Sequence, residues 1–344
     1  MGRTAWLDPV PFLRGTAWLD GARAVRADPA HADALPWDTA ARAALPIGVR
    51  LEFTAPSGTR AVQIRYRAHV PEQGDPLGEL AHHFALWCAG RCAREAFMEP
   101  ADEATVTLPL PPPPAQDRPP VFTVHPPESQ APVILGLRGL GGPLSPAPRR
   151  PRWLVHGDSI TEGWWSTRPA HAWPAVAGRA LGLDPVNLGY AGSARGEQAV
   201  ARQLATLPGD LITLAFGTNC WWPVPTPAPL MYEVTRAFVR LVREGHPDTP
   251  VLLVSPLLRP AAEDTAHPPG DALAELRAAM EEAVRDLVAA GDGRLALLPG
   301  REVLRPEHLA DGLHPNDAGH ARLAAAVAGA LREAGFAGGQ DTGR

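Results

Sequence analysis

Three side chains of this 344-residue chain have the types and settings needed for nucleophilic chemistry: Ser159, Asp311 and His314. Ser159 stands in Gly157-Asp158-Ser159-Ile160-Thr161-Glu162-Gly163, behind the apolar run Trp153-Leu154-Val155. A buried strand, a turn permitted by Gly and a helix start would lift its hydroxyl to the strand's carboxyl end, where open α/β sheets bind ligands. The same letters also spell a capping box, with Ser159 as N-cap and Glu162 three residues on. This stretch alone leaves both readings open. In Asp311-Gly312-Leu313-His314-Pro315 a carboxylate three residues ahead of an imidazole can accept one ring N–H, leaving the other nitrogen to take the Ser159 proton. An Asp-Gly turn with an incidental His, or Asn316 capping a helix beside His314, fits those letters too.

Two further stretches offer donors for a developing oxyanion. Asn187-Leu188-Gly189-Tyr190-Ala191-Gly192-Ser193-Ala194-Arg195 follows an expected strand, and a Gly in it can turn its N–H into a cleft. Gly217-Thr218-Asn219 ends another strand, and the Asn amide can donate toward the same point. Each stretch alone is an ordinary loop or turn. All four together supply nucleophile, base, orienting acid and oxyanion donors, the complement that acyl transfer requires.

The elements that must position these residues are legible after Arg152. Strands are expected at 153–156, 185–188, 210–216, 250–255 and 294–298, with helices near 172–181, 197–206, 230–244, 272–290 and 316–333. Repeated β-α units imply a doubly wound parallel sheet, whose crossovers bring the strand ends to one edge. The first half has another rhythm. Short β-prone runs at 49–54, 61–66, 83–87, 104–108 and 132–137 alternate apolar with polar, as an all-β sandwich does. Turns are expected at Pro56-Ser57-Gly58 and Ala89-Gly90, and the Pro111 to Pro114 tract reads as an extended surface loop. The expected division is a β-sandwich over 1–140, a Gly/Pro/Ser connector with little to pack over 141–151, an α/β domain over 152–335 and a flexible tail over 336–344.

Composition narrows the partners. A net charge of −5 offers no basic face to nucleic acid or anionic lipid. No apolar run approaches a membrane span and the N-terminus lacks a signal pattern, so a cytoplasmic protein is expected. Three Cys do not make a disulfide framework, and Cys88 and Cys92 lack companions at metal-ligand spacing. Neither metal nor cofactor is expected.

The four stretches together resemble the blocks of the SGNH (GDSL) hydrolase superfamily, over about 180 residues of the second half. The resemblance implies a flavodoxin-like hydrolase domain with Ser159 as nucleophile, His314 as general base and Asp311 as its partner. It implies an oxyanion hole built from the Ser159 N–H, the Gly192 N–H and the Asn219 side chain. The 191–195 loop is also similar to that of rhamnogalacturonan acetylesterases. One departure stands out, since the Asp usual after the third-block Asn is Cys220 here, which puts the local loop geometry in question. The first half resembles the jelly-roll domain that precedes the hydrolase domain in some carbohydrate esterases and natural-product acyltransferases.

Trp164 and Trp165 follow the nucleophile, and Trp221 and Trp222 follow Asn219. Flat indoles at these places suit a sugar ring or an aromatic group, and Arg168 or Arg195 could steer an anion. The expected activity is cleavage of an O-acyl ester, with acetyl a candidate, from a small molecule or carbohydrate. The alternative is an acyltransferase that moves an acyl group from a CoA thioester to a natural-product hydroxyl. A non-catalytic binding protein on the same scaffold is the third reading.

Overall fold

The computed structural model describes residues 5–68, 82–112 and 120–337. Two compact units emerge: one comprises 1–29, 44–149 and 167–170, the other 30–43, 150–166 and 171–344. Each is described by itself.

Among the described residues, the first unit is all-β apart from short 3-10 turns. Its strands are β1 (Leu13–Arg14), β2 (Trp18–Asp20), β3 (Arg23–Val25), β4 (Arg50–Thr54), β5 (Ala61–Ala68), β6 (His83–Cys88), β7 (Arg91–Phe97), β8 (Ala101–Pro109), β9 (Val121–His125), β10 (Val133–Leu140) and β11 (Ser145–Pro146). One antiparallel sheet runs β1-β4-β9-β6-β7 with β11 paired to β4, a second runs β10-β5-β8, and β2 and β3 form a separate ribbon. Phe53, Phe84, Leu86 and Phe122 of the first sheet share a core with Ile64, Tyr66, Leu108 and Leu137 of the second. Strand alternation produces this sandwich: in β5, Val62, Ile64 and Tyr66 are wholly buried while Gln63 and Arg65 are only partly so. Ala89 and Gly90 turn the β6–β7 hairpin, both at positive φ (49° and 75°), as a two-residue hairpin loop demands.

The connector packs more than its composition implied. Leu144 and Ala147 are buried, and Ser145 and Pro146 bridge to Thr54 and Phe53. Stretches rich in Pro and Gly still bury an occasional Leu or Ala where an edge strand offers a partner. Only Pro111 and Pro112 of the proline tract fall among the described residues. Of the expected tail, Phe336 and Ala337 pack against the α/β core, and 338–344 lie outside the described residues.

The second unit is the expected α/β layer structure. A helix, α1 (Trp37–Ala43), from the first half of the chain belongs to it. Strands β12 (Arg152–Gly157), β13 (Asp184–Gly189), β14 (Leu211–Ala215), β15 (Val251–Val254) and β16 (Leu295–Leu298) alternate with α2 (Ser159–Glu162), α3 (Trp173–Leu181), α4 (Gln198–Thr206), α5 (Ala228–Gly245), α6 (Leu273–Ala289) and α7 (Asp317–Glu333). The parallel sheet has the order β13-β12-β14-β15-β16, the flavodoxin-like doubly wound arrangement, with its switch point between β12 and β14. Along β12 the side chains divide by parity. Trp153 and Val155 join a core with Trp173 of α3 and Val327 of α7, while His156 stacks on Phe238 of α5 from the opposite face. No helix among the described residues is long and apolar enough to cross a membrane.

Candidate active site

Gly157 ends β12, and the chain turns at once into α2. Asp158, not Ser159, is the N-cap of this helix: its Oδ1 accepts from the Ile160 N–H at 2.9 Å. The capping box is therefore absent, and Ser159 sits at the first helical position with its hydroxyl free for other work. A close approach holds the helix in place. A Cβ on Gly189 at the end of β13 would lie 2.2 Å from the Glu162 backbone nitrogen, so only Gly lets β13 pass under α2.

Ser159 Oγ lies 2.8 Å from His314 Nε2, although the two are 155 residues apart. His314 Nδ1 is 2.7 Å from Asp311 Oδ2, and Asp311 Oδ1 takes the backbone N–H groups of Leu313 (3.0 Å) and His314 (2.8 Å). An ionised carboxylate only accepts, so the proton rests on Nδ1 and Nε2 is left to receive the serine proton. Burial alone would raise the Asp311 carboxyl, but the hydrogen bonds from His314 and Leu313 outweigh it and hold the group below its ordinary range. Asn316 caps α7 through a 3.0 Å bond from the Gly319 N–H, so the cap and the His–Asp pair coexist, with Asn316 two residues past His314.

The expected oxyanion donors follow the carboxyl ends of three neighbouring strands, β12, β13 and β14. Gly192 has φ +75°, and a Cβ there would meet nothing within 4 Å, so its backbone faces open space. Among the described residues neither the Gly192 N–H nor the Ser159 N–H meets an acceptor. Asn219 donates one amide hydrogen to the Ser193 carbonyl at 2.6 Å, which fixes its orientation and leaves the second hydrogen available. Cys220 is buried and its thiol, pushed up to about 12 by burial, donates to the Arg195 carbonyl at 3.7 Å. Despite the missing Asp, the third-block loop is thus still tied to the second.

The aromatic residues divide. Trp164 stacks on the His314 ring (5.4 Å between centroids, 28° between planes), and Trp165 donates its indole N–H to Asp311 Oδ2 at 2.9 Å. Trp221 is buried, its N–H on the Thr265 carbonyl at 2.6 Å, and Trp222 is half exposed. Trp173 is a core residue, wholly buried edge-on to Trp153.

Arg195 binds the Gly192 carbonyl at 2.6 Å and Asp38 Oδ2 at 2.8 Å, with Glu197 3.4 Å away. It braces the loop that carries Gly192, and its charge is already answered by two carboxylates. Arg168 is likewise paired, to Glu95 at 2.5 Å.

Sequence reasoning did not find the helix behind this loop. In α1, Asp38 meets Arg195, Thr39 bonds Ser193, and Arg42 pairs with Glu162. Glu162 Oε2 in turn takes the Ala191 N–H at 2.8 Å, one residue before Gly192. The Arg42 guanidinium also lies 5.8 Å from the centre of the Trp164 ring. His320, buried in α7, bonds the Trp164 carbonyl at 3.0 Å. Asp38, Thr39, Arg42 and His320 stand in no motif, and no pattern in the sequence marks them.

Comparison with known proteins agrees with this fold. The GDSL-like Lipase/Acylhydrolase family matches residues 155–322. No curated protein matches the sequence. Among solved structures, the chain is similar to the salicylyl-acyltransferase SsfX3 from a tetracycline biosynthetic pathway, with 25% identity, 94% of each chain covered and a TM-score of 0.81. It also resembles in fold a crystal structure from Bacteroides ovatus ATCC 8483 described as a GDSL-like lipase (21% identity, 97% of this chain and 98% of that chain, TM-score 0.77). A family two carbohydrate esterase from Clostridium thermocellum is similar in fold as well (15%, 84% and 92%, 0.63). With the α/β fold and the Ser159 turn at its switch point, residues 155–322 are a domain of the GDSL-like lipase/acylhydrolase family.

Proposed function

We propose that the protein is a serine-dependent acyl-transferring enzyme that cleaves an O-acyl ester of a small molecule or carbohydrate through an acyl-Ser159 intermediate. The observation that carries this reading is the hydrogen-bonded chain Ser159–His314–Asp311, at 2.8 and 2.7 Å, with the Ser159 and Gly192 N–H groups lacking acceptors among the described residues. In the first step the Ser159 oxygen attacks the acyl carbon while Nε2 of His314 takes its proton. The negative oxygen of the tetrahedral intermediate accepts from the N–H groups of Ser159 and Gly192 and from the Asn219 amide. The imidazolium, held by Asp311, returns its proton to the departing alkoxide, and the acyl group stays on Ser159. Water then attacks the acyl-enzyme with His314 again as base. No cofactor or metal takes part in these steps.

A second reading replaces the water with an acceptor alcohol, so that a CoA thioester is the acyl donor and a natural-product hydroxyl the acceptor. The likeness to the salicylyl-acyltransferase along 94% of both chains favours it. Both readings share the acyl-Ser159 intermediate, formed in the second with the CoA thiolate leaving and taking the His314 proton, and the products separate them. The experiment is incubation with acetyl-CoA and with 4-nitrophenyl acetate, each with and without a panel of sugars and phenols, followed by mass analysis. Free acid alone supports the esterase. A new ester whose yield rises with acceptor at the expense of free acid supports transfer. Absence of any acyl consumption contradicts both.

A further inference from the structure

The positive charges near the site differ in how they are answered. Arg42 and Arg195 each face a carboxylate. Arg259 does not. It follows β15, whose neighbour in the sheet is β14, the strand that leads to Asn219 and Trp221. Its guanidinium carbon lies over the Trp221 ring, 4.3 Å from the centre. Among the described residues that guanidinium makes no hydrogen bond and no ion pair; only the Arg259 backbone is held, its N–H by Glu263 Oε1 at 3.1 Å and its carbonyl by the Ala262 N–H at 2.8 Å.

The carboxylate closest in sequence is not available to it. Glu263 is gripped by both edges of Arg277, at 2.9 Å each, and is approached by Arg301 at 3.4 Å. Asp158 and Asp311 act on Arg259 through space, but their oxygens are engaged at the Ile160 N–H and at His314. A half-buried cation with five unused donors is costly to keep unless something anionic completes it. Its platform is rigid as well. The Trp221 indole is fixed by its bond to Thr265 and packed on the His267 ring, 4.5 Å away.

We infer that Arg259, laid on Trp221 beside the nucleophile loop, is an anion subsite that binds a carboxylate or phosphate oxygen carried by the substrate. The planar fork suits either group bidentately, and the indole face holds the fork in one orientation. This rests on the acyl-Ser159 reading and narrows its substrate class to acidic esters or to phosphate-bearing thioesters.

The test is a ratio. In one arm, kcat/KM for mono-4-nitrophenyl glutarate is divided by that for 4-nitrophenyl butyrate, which lacks the carboxylate. In the other, acetyl-CoA is divided by acetyl-N-acetylcysteamine, which lacks the phosphates. Arg259→Ala lowers the ratio at least about tenfold in the arm that carries the true anion, Arg259→Lys lowers it less, and added salt lowers the wild-type ratio in that arm. Ratios unchanged by Arg259→Ala and by salt in both arms overturn the subsite. A binding measurement remains readable if the acyl-serine chemistry itself is wrong, or if Arg259→Ala turns over nothing. Calorimetry with monomethyl glutarate and with CoA compares Ser159→Ala with Ser159→Ala/Arg259→Gln. At least tenfold weaker binding of one ligand in the double variant supports the inference, and equal binding of both contradicts it. Failure of the acyl-serine reading shows separately, as turnover of the neutral esters near the wild-type rate in a folded Ser159→Ala chain.

Discussion

The indole N–H of Trp165 donates to Asp311 Oδ2, the same oxygen that takes the His314 ring proton. Trp165 stands at φ +65°, a backbone conformation that a bulky residue adopts only under local constraint, and the bond to Asp311 is part of what holds it there. A carboxylate sharing its charge with a second donor pulls less hard on the imidazole.

Trp165→Phe keeps the ring and removes that donor. The expected result is a loss of about tenfold in kcat, the scale of one hydrogen bond to a charged group. A kcat on 4-nitrophenyl acetate equal to the wild type's in a folded Trp165→Phe chain would count against this role.

Asn219→Ala removes one of the three proposed oxyanion donors. About 10²–10³-fold should be lost from kcat with KM little changed, since the bond is made chiefly in the transition state. Steady-state kinetics on the same ester read it, and an equal rise in KM at constant kcat would assign the amide to ground-state binding instead.

Arg42 reaches the chemistry only through others, by way of Glu162 and the Ala191 N–H to the Gly192 loop. Arg42→Ala should cost about 10–100-fold in kcat, the scale of a small misplacement of a catalytic group, with Arg42→Lys recovering part of it. Equal activity in a folded Arg42→Ala chain would show that the loop holds its shape without α1.

Burial lowers the His320 imidazole to about 4, against the pull of its bond to the Trp164 carbonyl. The unfolded chain then takes up the proton first as pH falls. Stability is fully present above the ordinary histidine range and is lost from about pH 6.5 down toward 4. Between pH 7.5 and 5, urea denaturation should show the wild type losing about 2 kcal/mol more than His320→Asn. Burial raises Asp158 to about 6, which acts with the opposite sign in this window, but it is present in both proteins and cancels in the difference. Equal losses would contradict the neutral, buried His320.

The α/β half was readable because its signals are local and repeated. Each strand is a short apolar run that ends in a loop with polar or Gly residues, and all five strands and the five longer helices after Arg152 lie where periodicity puts them. The β half was readable only where side chains alternate in burial. Strand β7, Arg-Cys-Ala-Arg-Glu-Ala-Phe, lies at a sheet edge and is mostly exposed, so it carries no apolar rhythm. The sequence brought Ser159, Asp311 and His314 forward through their neighbours. It was silent on Arg42, His320 and Arg259, whose surroundings come from residues distant in the chain. It also singled out Arg195 for substrate steering without showing that Asp38 and Glu197 already answer that charge.

The central claim is a covalent acyl group on Ser159, and acid-quench peptide mass analysis after brief exposure to 4-nitrophenyl acetate tests it most directly. The account predicts one acetyl group on the peptide that contains Ser159, absent in Ser159→Ala and accumulating in no other peptide, with turnover in Ser159→Ala reduced by at least about 10⁴-fold. Turnover near the wild-type rate in a folded Ser159→Ala chain, or acetylation confined to another residue, would contradict it.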